Sequence, residues 1–186
     1  MTTASWIVLI AIVAVFGGVV LSYNRFIRQR NLVGEAWRQI DVELTRRHDL
    51  VPNLVETVKG YAAHERQTLE SVTAARAAAA TAGSGPAAQA AQESALSGAL
   101  SRLFAVAEAY PDLKSSANYL ELGRQLAETE DRIAAGRRFY NGNVRALNTR
   151  IETFPSAVVA AIFGFKKAEY FSTDDPDVRS VPKVSF

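Results

Sequence analysis

The chain has no cysteine. Disulfide scaffolds, thiolate zinc sites and cysteine nucleophiles are thereby excluded, and the redox compartment is left open. Histidine is nearly missing as well. Only His48 and His64 occur, which argues against a histidine-rich metal centre. The HERQT run that starts at His64 is not a zinc-protease HExxH, because no second histidine follows. An excess of one charge is lacking too. Lys and Arg number 21 against 19 Asp and Glu, and a formal net charge of +2 gives no strong field pointing to nucleic acid. The glycines are scattered and form no phosphate loop. Runs of β-branched residues are scarce beyond the N-terminus, while alanine is plentiful, which points away from sheets.

What the chain does have begins with a charge-free stretch at residues 2–24. Its block WIVLIAIVAVFGGVVL at 6–21 is just long enough to span hydrocarbon as a helix. Trp6 and Tyr23 sit where interfacial aromatics belong, and Arg25, Arg28 and Arg30 follow at once. No lysine or arginine precedes the block, the reverse of a cleaved signal peptide. The expectation is a retained anchor over 1–24. By the positive-inside rule the N-terminus faces out and the helical domain faces the cytoplasm.

Beyond the anchor, apolar residues recur in alternating steps of three and four, the mark of helices packed on helices. The first seam is Trp37, Ile40, Leu44, Arg47, Val51, Leu54, Val58, Tyr61 and Glu65. It predicts one continuous helix from the membrane to about Arg76, with Pro52 either kinking it or restarting it behind Asp49 as a cap. Residues 77–92 are low in complexity, and Gly83-Ser84-Gly85-Pro86 predicts a helix–helix turn. A second seam runs Leu96, Leu100, Leu103, Ala107, Tyr110 and stops at Pro111. Asn118, with Glu121 three residues on, predicts the start of a third helix. Its seam is Leu126, Glu130, Ile133, Arg137, Tyr140, Val144, Leu147, Ile151 and Phe154. Pro155 ends it, and 156–163 predicts a short helix capped by Gly164. The predicted fold is all-α: an antiparallel up-down bundle of three long helices plus a short fourth at 25–170, on one transmembrane helix. The tail at 171–186 is expected to be extended or partly disordered.

Charged residues on these seams must find partners, because an isolated buried charge is prohibitive. A structural polar core is therefore expected from Arg47, Asp49, Asn53, Glu108, Glu130, Arg137, Asn141 and Asn148. At least one arginine–carboxylate contact is predicted among Arg47, Arg137, Glu108 and Glu130. Asn53, Asn141 and Asn148 are expected to bond backbone or one another. Carboxylates on facing helices also suggest a di-iron bundle, but neither histidine follows a glutamate by three, as that chemistry needs. No catalytic, cofactor or metal site is expected, and the polar points read as devices that fix helix register.

Taken together, RRHDLVPNLVETVKGYAAHE, EAYPDLKSSANY, ETEDRIAAGRRFYNGNVRALN and TFP, after a single membrane helix, resemble the LemA family. The resemblance covers nearly all of 23–171, and its combined motifs, R-x-D-L-x-P-N-L, Y-P-D-L and R-x-x-Y-N, are specific. It implies an antiparallel helical bundle on one anchor, in bacteria, and brings no enzymatic activity with it. The matching positions are Arg47, Asp49, Pro52, Asn53 and Leu54, then Glu108, Tyr110 and Pro111, then Glu130, Arg137, Tyr140, Asn141 and Asn148. A short alanine-rich first loop and a proline-containing tail depart from the pattern.

The functional expectation is a non-catalytic membrane scaffold that self-associates. Its first helix outruns the second, which leaves Trp37, Ile40 and Leu44 exposed as an oligomer contact unless 156–163 folds back over them. The alternative is an adaptor or regulator that binds another membrane protein, such as a protease or transporter. Partners are then the lipid bilayer, further copies of the chain or other membrane proteins, and no nucleic acid.

Overall fold

In a computed structural model, which describes residues 3–81, 83 and 85–172, every regular element is helical. The helices are α1 Thr3–Tyr61, α2 Arg66–Thr81, α3 Pro86–Ala107, α4 Pro111–Lys114, α5 Ala117–Glu152 and α6 Ser156–Phe163. The expected tail at 171–186 lies outside the described residues except for 171 and 172. The chain divides into two units. One takes the described residues up to Val42 together with Arg132–Glu169, and the other takes Glu43–Asp131 and the described residues from Tyr170 on.

The unit built on Glu43–Asp131 is a four-pass bundle. The seam of α1 turns inward here, with Val51, Leu54 and Val58 at most 1% exposed. The predicted rod to Arg76 is corrected. The helix stops at Tyr61, Ala62 to Glu65 form a turn closed by Glu65 N–H to Ala62 O, and α2 starts at Arg66. Arg76 Nε donates to His48 O at 3.0 Å, so α2 runs back antiparallel beside α1. The seam gave no sign of this reversal because its spacing runs on through Tyr61 to Glu65 without a break, across a turn whose Ala62 is fully buried. Tyr61, expected in the core, is half exposed at the helix end. Gly85, at φ 123, makes the next turn in a backbone region that favours glycine, and Pro86 opens α3. The α3 seam packs Leu96, Ala99, Leu100, Leu103 and Ala107 against Val72 and Ala79 of α2 and Leu126 of α5 in one core. The YPDLKSSAN connection is not open chain but holds the one-turn α4, whose Leu113 is fully buried. α5 begins at Ala117, one residue before the predicted cap, with Leu120 N–H bonded to Ser116 O.

Pro52 does not restart α1, which continues through it as one helix. Proline has no N–H to give to the carbonyl four residues back, here His48 O. That carbonyl is the one Arg76 Nε occupies, so the orphaned acceptor is satisfied from the neighbouring helix. Asp49 is exposed and caps no restart.

In the other unit, α1 carries Phe26, Val33, Ala36 and Ile40 as its buried face, and α5 carries Ile133, Tyr140, Val144 and Leu147. Gly136 lets the two helices close up: a Cβ there would sit 3.0 Å from Ile40 Cγ1. Trp37 meets Tyr140 with ring centroids 5.5 Å apart. The Trp37, Ile40 and Leu44 stripe is therefore not an open contact. Ile40 and Leu44 are 1% and 2% exposed, and α5, rather than the short helix, lies over Ile40. The length argument had compared the first helix only with the second. α6 follows Pro155 and ends at Gly164, which takes φ 70 in the left-handed cap predicted for it. Residues 165–169 then run along α5. Asn148 exchanges two 2.9 Å bonds with the Ala168 backbone, and the Tyr140 hydroxyl donates to Glu169 O at 2.8 Å. Burial, then the Glu169 charge, pushes the Tyr140 phenol up to about 12.

One segment of α1 is left unburied by the described residues. Its apolar N-terminal part is long enough to cross a membrane and is wholly unburied, with Ile7, Val13, Val15, Phe16 and Leu21 all at least 60% exposed.

Candidate functional site: a buried ion network

Arg47 lies on the seam of α1, so helical period alone drives its guanidinium into the core, where it is 2% exposed. It survives there because two neighbouring helices, α3 and α5, feed it acceptors. Nη1 donates to Glu130 Oε2 of α5 at 2.6 Å and to Ser97 Oγ of α3 at 3.0 Å. Nη2 donates to the Glu93 carboxylate and, at 3.3 Å, to the Glu93 carbonyl. The second Glu93 oxygen takes His48 Nε2 at 2.9 Å and Gln89 Nε2 at 2.7 Å, and Gln89 also reaches Ala79 O of α2 at 3.0 Å. Glu93, 5% exposed, is thus the hub. Burial would raise its pKa. The His48 hydrogen bond and the adjacent Arg47 guanidinium outweigh burial and hold the carboxyl below its ordinary value of 4.5.

Glu130 is the outer partner, with its side chain half exposed. It borders a groove of about 320 Å³ lined also by Leu100, Phe104, Gly123, Leu126 and Arg47. Arg47 Nε, which faces no acceptor, is buried.

Of the sequence-predicted polar residues, the structure joins Arg47 to Glu130 and buries Asn148 against backbone. Asn141 is half-buried. The others are corrected. Asp49, Asn53, Glu108 and Arg137 are all exposed, and Glu108 pairs on the surface with Lys114. Arg137 falls at a seam position, but a long flexible side chain there can still turn its head to water. Glu108 follows Ala107, the last residue of α3, where a helix face no longer constrains direction.

The sequence reading missed Glu93, Gln89, His48 and Arg76. The signal for the first two was present. Stepping back from Leu96 by three and then four gives Glu93 and Gln89, so the seam continues into a stretch set aside as low complexity. His48 adjoins Arg47 at the edge of the same face. Arg76 shows only once α2 is known to fold back.

Chemically, this arrangement consumes its own reactivity. Both Glu93 oxygens and both terminal Arg47 nitrogens are engaged, and within this network Ser97 bonds Arg47 rather than His48. Among the described residues, no three His, Asp or Glu side chains gather as metal ligands.

A family model described as the LemA family matches residues 36–186, a range that contains the whole network. The chain belongs to the LemA family. It is 30% identical to magnetosome protein MamQ 2 of Paramagnetospirillum magneticum and 28% identical to MamQ of Magnetospirillum gryphiswaldense. Each of these alignments covers 87% of this chain and 69% of the relative. It is also 29% identical to protein LemA of Metamycoplasma hominis, over 84% of this chain and 75% of that one. The family and the exposed apolar helix together mark a membrane-associated bacterial protein.

Proposed function

We propose that this LemA-family chain is a non-catalytic, membrane-anchored helical scaffold that self-associates, with residues 1–24 as the anchor, the N-terminus outside and the helical domain cytoplasmic. The observation that carries it is the closed network around Glu93. A chain that buries an arginine and a glutamate and spends both on neighbouring helices has used its strongest polar groups for register. The polar core in this reading is Arg47, Glu93 and Glu130, with Asn148 holding 165–169 in place. Ile40 and Leu44 are buried and Trp37 is half-buried, so self-association falls to other apolar side chains; Val42 and Phe139 are 66% and 54% exposed.

Light scattering on detergent-extracted protein tests the reading. Assemblies larger than one chain, reduced by Phe139→Ser, support it; a strict monomer removes self-association. The adaptor reading draws on the groove beside Arg47, which has apolar walls and one half-exposed carboxylate at its edge. Crosslinking from Ser101 that recovers one stoichiometric foreign membrane protein would favour it over the scaffold.

A further inference from the structure

Within the unit built on residues up to Val42 and Arg132–Glu169, a cleft of about 550 Å³ opens between α1 and the end of α5 with α6. Its apolar side carries Gly18, Leu21 and Val159, and its polar side carries Ser22, Arg25 and Arg150. None of its lining residues is acidic. Ser22 Oγ and Arg150 Nε are both buried without a hydrogen-bond partner. Buried donors left unmade are costly, and two of them beside a second guanidinium ask for an anion with several acceptor oxygens.

The height of the cleft on α1 identifies the source of that anion. Leu21 ends the apolar block, and Tyr23 and Arg25 begin the polar flank, the level at which hydrocarbon gives way to headgroups. α6 is tied to this level, with Tyr23 and Phe163 centroids 4.9 Å apart and Phe26 stacked on Phe165 at 4.6 Å. Phe154 just before it and Val158 and Ile162 on it are 81%, 52% and 70% exposed, an apolar surface a membrane interface would cover.

We propose that this cleft binds the headgroup of an anionic phospholipid. The phosphate accepts from Arg150, Arg25 and Ser22, one acyl chain lies along Gly18, Leu21 and Val159, and α6 rests in the same interface. A free phosphate ion has the same oxygens but no use for the apolar wall. The site rests on the reading of residues 6–21 as a membrane span.

Native mass spectrometry of the full chain in detergent, given equimolar phosphatidylglycerol and phosphatidylcholine, tests it. Both lipids carry the phosphate, but the choline cation of phosphatidylcholine is repelled by Arg25 and Arg150, so one phosphatidylglycerol adduct should prevail about tenfold, about the factor of one charged contact. Arg25→Gln and Arg150→Gln should each reduce that preference several-fold, while Arg28→Gln, outside the cleft, should leave it unchanged. Arg25 is exposed, so its variant tests the site even if the Arg150 variant misfolds. Equal retention of the two lipids, an unaltered adduct in Arg25→Gln, or displacement by millimolar sodium phosphate overturns the proposal. Carbonate washing of membranes separates the two readings. A chain that washes off sinks the span and the site together, whereas a chain that stays but shows no headgroup preference sinks the site alone.

Discussion

Glu93→Gln removes one negative charge from the centre of the Arg47 network and changes little else in volume. The variant leaves Arg47, 2% exposed, with Glu130 at 2.6 Å, Ser97 and a carbonyl. Removing one partner of a buried pair costs about 3–5 kcal/mol, and because Glu130 still neutralises part of the charge, the lower end, about 3 kcal/mol, is expected. In a chain of this size that is a fall in Tm of about 6–12 °C. Glu130→Gln is the matched control. Its side chain is 53% exposed, so water screens the loss, and about 1 kcal/mol or less is expected. Circular dichroism melts of the detergent-solubilised full chain at pH 7 read both. The reasoning fails if Glu93→Gln melts within a degree of wild type, or if the two variants lose equal stability.

The same carboxyl sets an acid limit. Its folded pKa lies below 4.5, so in acid the unfolded chain binds more protons than the folded one. Its contribution is complete above 4.5 and is lost as pH falls through the lower folded value. Melts from pH 6 to 3 should show that loss in wild type and a shallower one in Glu93→Gln. Arg76→Ala should cost about 1.5–3 kcal/mol by freeing His48 O, but under about 1 kcal/mol in a Pro52→Ala background, where an amide donor returns. Equal costs in the two backgrounds would refute that pairing. Gly136→Leu should destabilise by about 1–3 kcal/mol through overpacking against Ile40, while Gly98→Ala, with open space around it, should stabilise α3 by about 0.5–1 kcal/mol. Urea melts at pH 7 rank the two. Asn148→Ala should speed amide exchange at 165–169 by breaking both bonds to Ala168, and unchanged exchange there would count against that clamp.

The sequence alone determined the helical class, the long apolar N-terminal segment, the turn at Gly85-Pro86, the Gly164 cap and the inward stripes of α1, α3 and α5. Each is a local matter: periodicity, chain stiffness and a backbone angle are properties of a few neighbouring residues. Arg47 was legible for the same reason, since its place on a seam needs no knowledge of what it meets. Tertiary structure decided the rest. Whether the first helix stops at Tyr61, which carboxylate answers Arg47, and whether Pro52 breaks its helix all turn on residues dozens of positions away. A proline reads as a breaker until another helix brings an arginine to the stranded carbonyl. A glutamate in an alanine-rich stretch reads as surface until the fold places it opposite a buried cation. A seam position states which way a Cα–Cβ bond points; only packing decides whether a long charged side chain follows it inward, as Arg47 does, or bends out to water, as Arg137 does.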